Sequence, residues 1–420
     1  LSIHVIGAGL AGIAAACQLT ESGRHVILHD SAKAPGGRAR SYFDKALGCR
    51  IDNGNHLLLS GNTAAMVFLR RVGARHSLSG PAEPIFPFVD LESGKHWTLR
   101  LNEGNFPWWV FKKDRRVPGT RLLDYRALLK LRKAGPDDLV GAMLGGIGPL
   151  YRNLMEPLAI AVLNTMPEIA AAAPLRVVLS ETIERGGFAS VPRYARIGLS
   201  ESFIDPAIEW LRYKGAEMRF GRRVSALDPN QPTVLAVPPW VATELVPGLV
   251  APDKFEAICN VHYRYTLPPG EAGFWGLIGG MAEWVFARPE VLSVTISAAN
   301  RYTGLDQAAI AGRVWAELAK AFGLAETVPH HRVIWEKRAT FMSTPEQLAR
   351  RPGTVTGNPN LVLAGDWTNT GLPATIEGAI RSGNEAASAL LQTGRVVEER
   401  EDIDGSEAFF TNLGRKRKVK

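Results

Sequence analysis

Near each end of the chain a short apolar run meets a glycine and then a longer apolar-rich stretch of helical character. Ile3–Ile6 reads as a short buried strand. An alanine-rich helix follows from Leu10 to about Ser22, Gly23 is placed to end it, and His25–His29 reads as a second strand. Toward the other end, Leu361-Val362-Leu363-Ala364 predicts a strand that runs into Gly365-Asp366, with a helix from about Ala374 to Leu391. The section between differs in character. Asp306–Phe322 predicts an amphipathic helix, since Ile310, Val314, Leu318 and Phe322 recur at intervals of four. Met218–Leu227 and Thr233–Val237 read as strands, the second closing on Pro238-Pro239. No internal repeat or low-complexity segment interrupts the pattern. The picture is a nucleotide-binding domain whose sequence is split by insertions that form a second domain.

At 420 residues, 46% hydrophobic and 21% charged, the chain has ample material for more than one core. Cys17, Cys49 and Cys259 form no CxxC pair and cannot all be paired. That suits a reducing compartment and offers no metal framework. His330-His331 has no carboxylate or cysteine neighbour at metal spacing, so it reads as a surface turn and no metal is expected. The chain opens on a strand-like segment, so no signal peptide is expected. The most apolar stretch, Leu139 to Leu150, is too short and too glycine-rich to span a bilayer. A formal charge of +8 raises the question of an anionic partner. No nucleic-acid-binding motif is present, so nucleic acid is not expected and an anionic membrane surface is the other option. Part of the excess lies in Arg415-Lys416-Arg417-Lys418 and Lys420, which reads as a solvated tail.

Gly7-Ala8-Gly9-Leu10-Ala11-Gly12 matches G-x-G-x-x-G between a strand and a helix. Gly7 permits the tight turn, Gly9 lets the backbone approach a pyrophosphate, and Gly12 lets helix and strand pack closely. Asp30 ends the second strand, where an acid can accept hydrogen bonds from ribose hydroxyls. Gly36-Gly37-Arg38-Ala39-Arg40-Ser41 follows, a loop whose amides and guanidinium groups suit phosphate oxygens. At the far end, Gly365-Asp366 can present a carboxylate to a ribityl chain. The helix start around Ala374-Thr375-Ile376 offers amides to the pyrimidine edge of a flavin, where charge gathers on reduction. No second G-x-G-x-x-G exists for a nicotinamide domain; Gly146-Ile147-Gly148 lacks the third glycine and is followed by proline.

These blocks resemble the flavin amine oxidases and phytoene desaturases. The resemblance implies that Gly7, Gly9, Gly12, Asp30, Gly37, Arg38 and Asp366 contact FAD, and that Val224 meets the adenine through its backbone. Within that superfamily the chain is most similar to the squalene-associated FAD-dependent desaturase-like proteins, the hydroxysqualene dehydroxylases of bacterial hopanoid pathways. The carriers are Asp52-Asn53-Gly54-Asn55-His56-Leu57-Leu58-Leu59, Leu163-Asn164-Thr165, Gly198-Leu199-Ser200-Glu201-Ser202-Phe203, Trp284-Val285-Phe286, Glu336-Lys337-Arg338-Ala339-Thr340-Phe341, and Leu372-Pro373-Ala374-Thr375-Ile376-Glu377-Gly378-Ala379. Asn55 departs modestly from the usual wording of its block.

The resemblance implies an α/β fold, with an FAD-binding Rossmann-type domain of the GR2 type and an inserted α+β substrate-binding domain. The expected division is 1–61, 195–248 and 355–395 for FAD, 62–194 and 249–354 for substrate, and 396–420 as a basic tail. It also implies non-covalent FAD, a polyisoprenoid substrate, an external electron donor, and reductive loss of water from hydroxysqualene. That chemistry needs a proton donor for the departing hydroxyl, for which His56, Glu377 and Glu336 are the candidates, in falling order. Each also has a structural reading: His56 fixing its turn, Glu377 supporting the flavin helix, Glu336 pairing with Arg338. Asn105-Phe106-Pro107-Trp108-Trp109-Val110-Phe111-Lys112-Lys113, with Arg115 and Arg116, joins aromatic rings to cations as a membrane-contact segment does. Its alternative is that Trp108 and Trp109 pack into the substrate domain. The expected location is cytoplasmic, with peripheral attachment to the inner membrane as the membrane option. A carotenoid desaturase with opposite electron flow, an amine oxidase, and a flavin-binding protein without turnover are the rival readings.

Overall fold

The computed structural model describes residues 2–268 and 270–392; the expected tail domain and its basic run lie outside the described residues. Five strands form a wholly parallel sheet in the spatial order Glu217–Phe220, Val26–Asp30, Ile3–Ile6, Thr233–Leu235, Leu361–Leu363. Strands from both ends of the chain therefore lie in one sheet, with Val5 opposite Val234 and Val234 opposite Val362. Val26, Ile27 and Leu28 are all buried, as a parallel sheet covered on both faces requires. The alanines of helix Leu10–Glu21 pack on this sheet and share its core with Leu28, Val234 and Val362.

The helical residues 376–392 lie directly on Leu10–Glu21. A Cβ at Gly383 would stand 2.1 Å from the Ala11 carbonyl oxygen, so only glycine allows this approach. Gln18 donates to Ser388 across the same contact at 2.8 Å. The two ends of the chain are thus joined twice, by strand neighbours and by helix against helix.

A second sheet of seven strands has the order His331–Phe341, Phe255–Tyr263, Leu292–Ile296, Trp284–Ala287, Phe274–Ile278, Ile85–Asp90, His96–Arg100. Its pairs are antiparallel except for Phe274–Ile278 with Ile85–Asp90. Helix Gln307–Phe322 shares a core with it through Ile310, Val314, Trp315 and Leu318. Asp306 caps that helix by accepting from Ala308 and Ala309 at 3.1 and 3.3 Å, and Gly323 ends it in the left-handed region at φ 64°. A separate core joins Phe274, Trp284 and Phe286 of the sheet to Trp109, Val110, Tyr125, Leu144 and Leu154 of a helix-rich segment.

Three expectations change. The strand expected over Met218–Leu227 ends at Phe220: Gly221 turns at φ 76°, and the Gly221 and Arg222 amides donate to Ala32 and Asp30 instead of extending the ladder. Helix Thr63–Arg71, expected in the substrate domain, buries Phe68 and Leu69 in the core of the parallel sheet. His331, read as part of a surface turn, opens the strand His331–Phe341 opposite Tyr263.

Gly383→Ala places a methyl group against a backbone carbonyl and is expected to cost about 1–3 kcal/mol. Chemical denaturation of the purified protein measures this, with Gly312→Ala, in helix Gln307–Phe322 and meeting open space, as the comparison without the backbone clash.

Candidate cofactor and active site

Strand Ile3–Ile6 delivers Gly7 at φ 108°, where a Cβ would meet the Ala236 carbonyl oxygen at 2.3 Å. A Cβ at Gly12 would lie 1.8 Å from the Gly7 oxygen, so the helix begins as close to its strand as two backbones allow. Gly9 is the N-cap of Leu10–Glu21, and no side chain caps it. Nothing lies within 4 Å of where its Cβ would point, and no acid occupies the first turn. The helix start therefore faces open space with unsatisfied amide donors, a cradle suited to a pyrophosphate.

The second glycine loop seats itself on this turn. Gly36 donates to the Ala8 carbonyl at 2.7 Å, and a Cβ on Gly37, at φ 56°, would approach Gly9 Cα at 3.4 Å. Asp30 reaches the same place: its Oδ2 accepts from Ala8 at 2.7 Å and its Oδ1 from Ala32 at 2.7 Å. A carboxylate has about four lone-pair sites, so each oxygen keeps capacity for a hydroxyl donor. Arg222 donates to the Asp30 carbonyl, and Val224 follows beyond the strand end, partly buried against the core of Ile6 and Leu235. The Arg40 side chain is exposed, while its carbonyl accepts from Asn53 at 2.9 Å.

Arg38, expected beside phosphate oxygens, reaches a carboxylate in this structure. Its Nη2 donates to both Asp366 oxygens at 2.7 and 2.8 Å, and its Nη1 to the Ala339 carbonyl. Burial disfavours the Arg38 charge, but Asp366 by Coulomb attraction and hydrogen bonding, with Glu336 further away, holds its pKa above the ordinary value. The side chain keeps 44% of its surface accessible, against 10% for Asp366, so the pair has one open side. Gly365, at φ 151°, lies against the Trp367 indole, whose Nε1 would stand 2.3 Å from a Cβ there, and turns the chain into Asp366. Ser382 accepts from the Gly365 amide at 2.8 Å and ties that strand end to the last helix. That helix starts at Ile376, two residues after the expected position. The Thr375 hydroxyl accepts from Gly378 at 3.0 Å and so acts as its cap, Ile376 is buried in the core, and Ala374 stays partly open.

The three proton-donor candidates separate. The Glu377 carboxylate accepts from Ala64 and Ala65 at 3.0 and 2.9 Å, and from Arg381 Nε and Nη2 at 3.0 Å each. Buried at 3% exposure and fully engaged, it caps helix Thr63–Arg71 and is not placed to donate a proton. Glu336 Oε2 accepts from Asn53 Nδ2 at 3.0 Å; its expected partner Arg338 instead lies over the Trp240 ring at 4.6 Å. His56 is half-buried, with Nδ1 3.2 Å from the Gly54 carbonyl. A carbonyl only accepts, so Nδ1 carries the hydrogen and Nε2 is left as the basic position. Burial lowers the His56 pKa; Gly54 and Asp52 oppose this, while Arg38 and Arg288 add to it. Next to it, Asn55 Nδ2 donates to Thr295 Oγ1 at 3.1 Å, Thr295 donates to Asn260 Oδ1 at 2.9 Å, and Asn260 holds the Asn53 carbonyl at 3.3 Å.

Arg351 was not legible in the sequence. Buried at 7% exposure over the Phe341 ring, it donates to the Leu372 carbonyl at 2.8 Å, the Asp366 carbonyl at 3.3 Å, the Thr368 carbonyl, and Thr370 Oγ1 at 3.3 Å. One guanidinium thus shapes the whole loop from Asp366 to Leu372. Burial is severe enough to lower its pKa to about 10, with Asp366 opposing. The buried pair Arg288–Asp52, at 2.5 Å, was missed because its partners lie far apart in sequence. Among the described residues no group of three or more His, Cys, Asp or Glu is placed to hold a metal.

A family model described as flavin containing amine oxidoreductase matches residues 233–391, and one described as NAD(P)-binding Rossmann-like domain matches residues 5–72. Hydroxysqualene dehydroxylase of Sinorhizobium fredii is 43% identical over 409 residues, covering 93% of this chain and 98% of that protein. A probable zeta-carotene desaturase of Synechococcus elongatus is 36% identical over 158 residues, 37% of this chain and 29% of that one. Cyclohexylamine oxidase from Brevibacterium oxydans shares the fold with a TM-score of 0.70 at 18% identity, over 93% of this chain and 99% of its own. The first glycine turn, the Gly36-Gly37 loop and the Asp366 loop together fit a flavin.

Arg351→Met leaves buried carbonyls unpaired at about 1–3 kcal/mol each. It is expected to lower flavin affinity at least tenfold in a fluorescence titration, with Arg351→Lys restoring part of the loss. A second expectation concerns pH. His262, 1% exposed, has its pKa lowered from 6.5 to about 4, chiefly by burial and then by Arg288. A depressed folded pKa means the unfolded chain binds the extra proton first, so stability present above pH 6.5 is lost as pH falls toward 4, up to about 3 kcal/mol. Denaturation of the wild type and His262→Gln across that window should show a shallower pH slope in the variant.

Proposed function

This chain belongs to the hydroxysqualene dehydroxylase family, within the flavin-containing amine oxidoreductases, and from that membership we propose that it reduces hydroxysqualene to squalene. The observation that carries the reading is similarity over nearly the full length of both chains, whereas carotenoid desaturases such as the Synechococcus protein match a much shorter part. Non-covalent FAD is the cofactor in this reading. The amides after Gly9 and the Gly36-Gly37 loop would take its pyrophosphate, Asp30 its adenosine ribose, Val224 its adenine, and the Asp366–Ile376 segment its flavin half. Arg38 and Asp366 neutralise one another there, so an uncharged ring system would meet no isolated charge.

Reduced FAD, when bound, would supply a hydride, so that a C–H bond forms at the allylic carbon as its C–O bond breaks and the hydroxyl takes a proton and leaves as water. The chain must supply that proton and keep bulk water out. We assign the proton to His56. Its Nδ1 is held by Gly54, its Nε2 is the position that gains and loses a proton, and the Asn55–Thr295–Asn260 chain fixes the loop that carries it. Glu377 has a supporting role, holding helix Thr63–Arg71 to the flavin helix. Glu336 is the second proton candidate, through Asn53. The polyisoprenoid substrate, an external two-electron donor and peripheral contact with a membrane complete the reading.

Photoreduced holoenzyme mixed anaerobically with hydroxysqualene is expected to regain flavin colour and form squalene in equal amount. Bleaching of the oxidised enzyme by phytoene or by an amine would overturn the assignment. With His56 as donor and its pKa depressed, kcat should rise as pH falls below about 6.5, and His56→Gln should flatten that limb. An acid limb that persists in His56→Gln and is lost in Glu336→Gln transfers the role to Glu336.

A further inference from the structure

The helix-rich segment that shares a core with Phe274, Trp284 and Phe286 has an outer side of unusual character. Trp108 and Trp109 are neighbours in sequence with opposite fates. Trp109 is buried edge-on against Tyr125 at 5.3 Å, while Trp108 is 63% exposed. Around Trp108 stand Phe106 and Phe111, 53% and 49% exposed, with ring centroids 4.6 and 6.0 Å from it. The adjoining helical turns, Leu122–Ala127 and Leu128–Leu131, add Leu123 and Leu129, 66% and 56% exposed.

Rings clustered on each other in water are held by something other than burial. Asn102 Nδ2 donates to the Gly104 and Phe106 carbonyls at 2.9 Å, and its Oδ1 accepts from the Trp109 amide at 3.3 Å. Arg116 donates to the Val110 carbonyl at 2.6 Å and the Phe111 carbonyl at 3.3 Å. The turn is therefore braced from behind, with its aromatic face presented outward. Residues 105–133 carry nine Lys or Arg against two Asp, a net of seven positive charges in a chain whose total is +8. Lys112, Lys113, Arg121, Arg126, Lys130 and Lys133 are exposed.

We propose that this face docks on an anionic phospholipid surface, with Phe106, Trp108, Phe111, Leu123 and Leu129 entering the interface and the cations meeting the headgroups. Apolar side chains ringed by Lys and Arg match the two components of interfacial binding, burial at the acyl boundary and attraction to anionic lipid. A second copy of the chain fits worse, because two such faces would oppose seven like charges to seven. Among the described residues no helix is long and apolar enough to cross a membrane, so attachment here is to one leaflet. The proposal rests on the reading that the substrate is a polyisoprenoid, which such docking would supply from the lipid phase.

The test is co-sedimentation of the full-length holoenzyme with vesicles of phosphatidylcholine, with and without phosphatidylglycerol. Phosphatidylglycerol should strengthen binding, and the triple variant Phe106→Ser, Trp108→Ser, Phe111→Ser should lower partitioning at least about tenfold. Lys112→Glu with Lys113→Glu should reduce binding to the anionic vesicles and leave the weak binding to phosphatidylcholine unchanged. FAD content and circular dichroism verify that the variants fold, and both should turn over detergent-dispersed hydroxysqualene at the wild-type rate. Equal wild-type binding to both vesicle types, or unchanged binding by the triple variant, overturns the proposal. So does a shift from dimer to monomer in the triple variant with vesicle binding intact, which would make the face a contact between copies. Vesicle binding without squalene formation would sink the activity reading and leave the docking face standing.

Discussion

Backbone contacts that only glycine permits hold the two ends of this chain together, and the cofactor site exists because of them. Gly12 lies against Gly7 and Gly383 against Ala11 closer than any side chain would allow, while Gly37 meets Gly9 at contact distance with φ at 56°. Gly12 sets the first helix on its strand, Gly37 brings the second loop onto the first turn, and Gly383 brings the last helix onto the first. Together with the Asp30 and Arg38–Asp366 hydrogen bonds, these contacts bring the amides after Gly9 and the Asp366 loop toward one another. The parallel strand neighbours reinforce the arrangement by placing Thr233–Leu235 between the first and last strands.

Charge inside the site is managed in pairs. Arg38 closes on Asp366, Arg288 on Asp52, and Arg381 on Glu181 and Glu377. Arg351 differs: its hydrogen bonds go to carbonyls and one hydroxyl, with Asp366 as a more distant charge partner. A buried cation satisfied by backbone carbonyls is costly, and here it sets the path of the loop that carries Asp366. Paired and satisfied charges also explain why two of the three acids proposed from sequence were engaged in structure. Glu377 is occupied as a helix cap and Glu336 is held by Asn53, which leaves His56 with a free ring nitrogen.

The outer surface follows a different logic. Interior ion pairs cancel, while residues 105–133, which carry the braced aromatic turn, hold a net of seven positive charges. The segment that bears it shares its inner core with strands of the seven-stranded sheet. Under the proposed docking, a C30 substrate would reach the protein from that side.

From residue order alone, local signals were enough for the βαβ start, the glycine turn with Asp30, the capped helix after Asp306, and the Gly-Asp strand near the other end. Each depends on neighbours within a few positions, through periodicity, turn chemistry or helix capping. Family resemblance added the flavin and the lipid class. Tertiary structure alone decided what the charged groups do. Whether Arg38 meets a phosphate or Asp366, whether Glu377 is an acid or a cap, and that Arg351 matters at all depend on partners brought close only by folding. The split between Trp108 and Trp109 is of the same kind, because two adjacent rings in a tight helical turn must point to different sides, and only the packing shows which side is water.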